Sequence, residues 1–130
     1  MPTFTPDTLV EFSQRYLGIP YFWGGKTPKG LDCSGFVQLV FKLFGMPLRR
    51  DAWMQHEDAR PAGKDPMRAR PAELLFFAES GERITHVAIA MGEGLFIHAR
   101  GMVRINSLNE SHDYFDESLK QSFVDVKSYL

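Results

Sequence analysis

The sequence predicts an α+β fold, with N-terminal helices packed on an antiparallel meander sheet. Three observations carry this. The first half holds apolar residues at helical spacing: Leu9, Val10, Phe12, Tyr16 and Leu17, then Phe36, Val37, Val40, Phe41 and Phe44. The second half holds short apolar runs of strand length, bounded by turn residues. Between two of those runs stands Gly92-Glu93-Gly94, a strong hairpin signal. Helices first and strands after argue against a wound parallel sheet. With 130 residues, 44% of them hydrophobic, one domain over 1–130 with its own core is expected.

In chain order, Pro6, Asp7 and Thr8 open a first helix that Gly18 and Pro20 end. Gly24, Gly25, Pro28 and Gly30 make a turn-rich loop leading to Cys33. Asp32 is a good N-cap for the central helix, and Gly45 a good stop. Residues 51–60 read as a short helix with Asp51 as a cap, and 61–71 as a surface loop. Strands are expected at 74–77, 84–91, 95–100 and 103–105, and a last one within 122–129.

Composition excludes several function classes. The formal net charge of −1 gives no electrostatic case for nucleic acid or an anionic membrane. The single cysteine excludes an intramolecular disulfide. No apolar stretch approaches membrane-spanning length, and residues 1–9 do not have the pattern of a signal peptide. As a complete chain the protein is expected in the cytoplasm or exported non-classically; as an excised domain it is expected to be secreted or periplasmic. A monomer is expected.

The chemistry centres on Cys33. A thiol in the first turn of a helix lies near unpaired N–H groups and the positive end of the macrodipole, which is expected to lower its pKa. Fast labelling by iodoacetamide near neutral pH would report such a thiol. If Ala90 pairs with Gly94 across the hairpin, His86 stands directly opposite His98, with Cβ atoms roughly 4.5–5.5 Å apart. Ala88 and Ala90 share that face and are small enough to admit a helix, so the helix bearing Cys33 is expected to pack there. A thiol, a base and a second polar group that orients the base are the parts of a cysteine hydrolase. Zinc on the same three residues is the rival chemistry, but no Cys-x-x-Cys or His-x-x-x-His spacing supports it. No metal or other cofactor is expected. His56 and His112 fit no constellation and are expected at the surface.

Tyr21-Phe22-Trp23-Gly24-Gly25, Asp32-Cys33-Ser34-Gly35-Phe36, Thr85-His86-Val87-Ala88-Ile89 and Phe96-Ile97-His98-Ala99 resemble the motifs of the NlpC-type cell-wall cysteine peptidases. Tyr16-Leu17-Gly18-Ile19-Pro20, Pro28-Lys29-Gly30 and Val103-Arg104-Ile105-Asn106-Ser107-Leu108 further resemble the γ-D-glutamyl-L-diamino acid endopeptidases that trim muropeptides. The resemblance implies a papain-like α+β catalytic domain and a peptide substrate derived from peptidoglycan. It implies Cys33 as nucleophile, His86 as base and His98 as orienter, with the Tyr21 hydroxyl and the Cys33 N–H facing the oxyanion. Asp32 and Ser34 would hold the free amine of an N-terminal L-alanine, and Trp23 and Asp51 would line the D-glutamyl pocket. The same Cys–His chemistry serves acyl transfer or amide hydrolysis in related folds, and an inactive peptide-binding domain is a further class.

Three departures from the family pattern stand out. Ala72-Glu73 replaces the usual Gly-Asp before the Leu74 strand, and Ala52 stands where related members often carry serine. The muropeptide-trimming members usually carry Src-homology-3-like domains ahead of the catalytic domain. None lies in these residues, so selection for a free N-terminus is expected to be weaker.

Overall fold

The computed structural model describes residues 5–18 and 32–130. Tyr21 and Trp23 therefore lie outside the described residues. Helix α1 (Pro6–Ser13) is opened by Thr5: the Thr8 N–H donates to Thr5 Oγ1 at 3.0 Å, and the Thr5 N–H donates to Thr8 Oγ1 at 2.9 Å. This reciprocal pairing satisfies amides that the first turn leaves open. The helix is shorter than its apolar pattern predicts, because a 3-10 turn (Gln14–Tyr16) takes over after Ser13. Edge-to-face ring contacts of Phe12 with Phe44 and of Tyr16 with Phe36 tie this segment to helix α2 (Cys33–Leu43).

Asp32 caps α2 as expected, its Oδ1 accepting the Gly35 N–H at 2.8 Å. Past Phe44 the chain turns at Gly45, whose φ of +82° suits glycine. Helix α3 (Ala52–Asp58) starts after Asp51, which holds the cap position without a side-chain cap bond.

The strands are β1 (Arg60–Gly63), β2 (Leu74–Phe77), β3 (His86–Gly92), β4 (Leu95–Arg100), β5 (Met102–Ser107) and β6 (Phe123–Ser128), with helix α4 (Glu117–Ser122) before the last. Among the described residues they form one antiparallel sheet in the order β1-β6-β2-β3-β4-β5. The expected strands are present, and β2 and β4 have the expected bounds. The expected loop at 61–71 instead contains most of β1. That exposed edge strand has no apolar alternation to announce it, and Pro61 is tolerated because an edge needs fewer amide donors. Ala72 keeps the turn before β2 by taking a φ of +73°, the left-handed region that glycine enters more cheaply.

Each face of the sheet carries its own core. On one, Phe36, Val37, Val40 and Phe41 of α2 pack with Phe76, Val87, Ile89 and Ile97. On the other, Phe77, Phe96, Leu108 and Leu119 fill the space over Ala88 and Ala90. The expectation that α2 covers the alanine face is thus overturned. A helix with a stripe of phenylalanine and valine buries more apolar area against branched residues, and the small alanines make room for the Phe77 and Phe96 rings, 5.7 Å apart.

Candidate active site

The β3–β4 hairpin pairs Ile89 with Ile97 and Ala90 with Phe96, then bulges to set Gly92 against Leu95. Continued along the strands, this register places His98 opposite Ala88. The expected pairing of His86 with His98 is therefore displaced by two residues. Glu93, with φ +55°, and Gly94 close the turn more tightly than a three-residue loop would. An even displacement preserves the face, since strand side chains alternate with period two. The two histidines are diagonal neighbours, and His86 Nε2 lies 2.8 Å from His98 Nδ1.

Hydrogen bonding fixes the tautomers. Asn106 Nδ2 donates to the Tyr114 carbonyl at 3.1 Å, which turns Asn106 Oδ1 toward His98 Nε2 at 2.9 Å. An amide oxygen only accepts, so His98 carries its proton on Nε2 and accepts on Nδ1. His86 must then donate from Nε2, and its Nδ1 keeps a lone pair. Both rings are buried. Burial holds His86 well below the ordinary histidine range, with His98 and Arg100 adding to the effect. Burial also lowers His98, to about 4, against the upward pull of its Asn106 bond. Both imidazoles are neutral at pH 7.

Cys33, His86, Asp32, Glu79, Ala99, Arg100 and Gly101 line one cleft of about 340 Å³. Helix α2 delivers Cys33 from one side of the sheet, and the first residue of β3 delivers His86 at the sheet's end. The thiol donates to the Thr85 carbonyl, Sγ···O 3.8 Å. The expectation of a lowered thiol pKa is overturned: burial pushes Cys33 up to about 11, aided by the nearby Asp32 and Glu79 carboxylates. The N–H groups of Val87 and Ser34 pull the other way and lose. A larger hollow of about 640 Å³, bounded by Pro6, Arg60, Arg70 and Leu130, has neither thiol nor imidazole in its lining.

Asp32 and Ser34, the expected amine holders, are already engaged. Arg50 donates from Nη1 to Asp32 Oδ1 and from Nη2 to Asp32 Oδ2, each at 3.0 Å, and from Nη1 to Ser34 Oγ at 3.0 Å. The buried Gln55 donates from Nε2 to the Ser34 carbonyl at 3.1 Å, tying α3 to the start of α2. Asp51 is exposed and lies outside the lining of the cleft. Among the described residues no cluster of three or more His, Cys, Asp or Glu side chains could hold a metal ion.

Arg50, Gln55 and Asn106 were not singled out from the sequence. Asn106 lies one residue past the expected strand at 103–105; β5 runs on to Ser107, and strand parity then puts Asn106 on the His98 face. His56 and His112 are not simple surface groups. His56 Nε2 meets both Asp125 oxygens at 3.1 Å, and His112 Nδ1 meets Ser107 Oγ at 2.7 Å.

Residues 18–123 match the model of the NlpC/P60 family. A dipeptidyl-peptidase 6 from Lysinibacillus sphaericus is 32% identical over 94% of this chain and 44% of its own length. A γ-D-glutamyl-L-lysine dipeptidyl-peptidase from Bacillus subtilis is 38% identical over 73% of this chain and 32% of its own. The crystal structure of an NlpC/P60 family protein from Bacillus cereus superposes with a TM-score of 0.81 at 30% identity, covering 99% of this chain and 41% of that one. The chain thus spans less than half the length of these relatives. With that match over most of its residues and a six-stranded sheet that superposes on a solved member, the chain belongs to the NlpC/P60 family.

Proposed function

We propose that this chain is a cysteine peptidase that hydrolyses the amide between D-glutamate and an L-diamino acid in peptidoglycan stem peptides. The observation that carries the reading is the His86–His98–Asn106 relay, which leaves a lone pair on His86 Nδ1 in a residue that shares a cleft with Cys33. Relatives named as γ-D-glutamyl-L-lysine peptidases support the bond type.

Because thiol and imidazole both rest neutral, attack is coupled to proton transfer. Cys33 Sγ turns from the Thr85 carbonyl toward His86, gives its proton to Nδ1 and attacks the D-glutamyl γ-carbonyl. General-base assistance of this kind contributes about 10²–10⁴-fold. The Cys33 N–H and the Tyr21 hydroxyl stabilise the oxyanion. The imidazolium then protonates the departing amine, leaving a thioester. Water, deprotonated by His86, releases the acyl group and restores the thiol. His98 holds the His86 ring and its tautomer throughout. Trp23 and Asp51 are proposed to line the approach to the D-glutamyl group.

A second reading is a binding domain without turnover, in which the thiol stays on the Thr85 carbonyl, its hydrogen-bond partner in the structure. Incubation with L-Ala-γ-D-Glu-diamino acid tripeptide and mass analysis separates the two. Release of L-Ala-D-Glu supports the peptidase, whereas intact peptide bound to the protein supports the alternative.

A further inference from the structure

Resting on the peptidase reading, we propose that Glu79 and Arg100 form a subsite for the side-chain terminus of the diamino acid, selecting a terminus that bears both an ammonium and a carboxylate. The pair stands at the end of the sheet where the reacting groups meet. Glu79 follows β2, Arg100 ends β4, and His86 begins β3. All three line the Cys33 cleft. The Glu79 N–H donates to Thr85 Oγ1 at 3.0 Å, fixing Glu79 on the residue whose carbonyl accepts the thiol's hydrogen bond. Beyond Arg100 the chain turns at Gly101, φ +77°, and a Cβ built there would meet nothing within 4 Å, so the wall is open at this point.

Arg100 Nη1 donates to Glu79 Oε2. The side chains are 45% and 31% exposed, so a ligand reaches both. An ion pair this wet contributes little net stability, so opening it costs little. A guanidinium has five donors in a fork and a carboxylate about four acceptor sites. A zwitterionic terminus offers its carboxylate to Arg100 and its ammonium to Glu79, exchanging one exposed pair for two charge-assisted ones. A terminus with an ammonium alone has to compete with Arg100 for Glu79. Both charges are close enough to bear on the reacting groups, since Arg100 depresses both imidazoles and Glu79 helps raise the thiol. The diamino acid is the leaving group that His86 protonates, so its side chain lies along the wall shared by His86, Arg100 and Gly101. meso-Diaminopimelate has such a zwitterionic terminus; L-lysine does not.

Titration of the Cys33→Ala protein by calorimetry tests this without turnover. The probes are L-Ala-γ-D-Glu-meso-diaminopimelate, the same peptide amidated at the side-chain carboxyl, and L-Ala-γ-D-Glu-L-lysine. The expected result is about tenfold tighter binding of the first than of the other two. Adding Arg100→Gln should close the gap, and Arg100→Lys, which keeps charge without the fork, should keep part of it. Melting curves confirm that each variant is folded. Equal affinities for the three peptides, or no binding at all, would overturn the proposal, as would a gap that survives Arg100→Gln. A preserved gap in binding with no hydrolysis by the wild type would overturn the peptidase reading and leave the subsite standing.

Discussion

Arg50 lies in a bidentate grip on Asp32, with both contacts at 3.0 Å, and a third bond reaches Ser34. The pair is about one-third exposed, so it is screened and exchangeable rather than locked. An incoming ammonium therefore meets a carboxylate that is already neutralised and capping α2. This lowers what a free substrate amine gains.

Acetylating the N-terminus of the tripeptide should then cost less than about tenfold in kcat/KM, or about 1.4 kcal/mol, below the roughly 1.5–3 kcal/mol of a fresh charge-assisted bond. Arg50→Met, which frees Asp32, should widen the difference between the free and acetylated peptides. Steady-state kinetics on both peptides checks this. A hundredfold preference for the free amine in the wild type would show that Arg50 yields the site readily.

Asn106 sets the proton on His98 and, through it, the lone pair on His86. Asn106→Leu should lower kcat on the order of tenfold with KM nearly unchanged, because the rings lose their fixed tautomers. Asn106→Asp should restore part of the rate and move the acid limb of the pH–rate profile upward, since a carboxylate raises the pKa of its histidine partner. A profile that stays put in the aspartate variant would reduce Asn106 to a strand residue.

The raised Cys33 pKa has a direct readout. The thiol stays protonated until the pH nears about 11, so the thiolate fraction at neutral pH falls well below that of free cysteine. Iodoacetamide should label the folded protein at pH 7.5 on the order of a hundredfold more slowly than free cysteine, gaining nearly tenfold per pH unit up to about pH 10. A rate at pH 7 that matches or exceeds free cysteine would mean a standing thiolate–imidazolium pair.

The site was legible where the physics is local. A cysteine behind a capping aspartate and ahead of an apolar stripe marks a helix start. Two histidines on adjacent strands share a face through parity, and that survived an error of two residues in register. Packing was less legible. Ala88 and Ala90 suggested room for a helix, but room for Phe77 and Phe96 looks the same in sequence. The thiol pKa depended on burial, which overrode the helix start. Arg50 reaches Asp32 across eighteen positions, and nothing local announces the bond. Helix α4, six residues with Leu119 as its one buried side chain, was too short to show a stripe.

In the proposed reaction Cys33 attacks a γ-D-glutamyl amide with His86 taking its proton. The most direct measurement is mass analysis of L-Ala-γ-D-Glu-diamino acid tripeptide after incubation with the wild type and with Cys33→Ser, melting curves confirming that both are folded. The wild type should release L-Ala-D-Glu and the free diamino acid, and the serine variant should release neither, because an alkoxide is far harder to form than a thiolate. Hydrolysis by Cys33→Ser at the wild-type rate would mean that Cys33 is not the nucleophile.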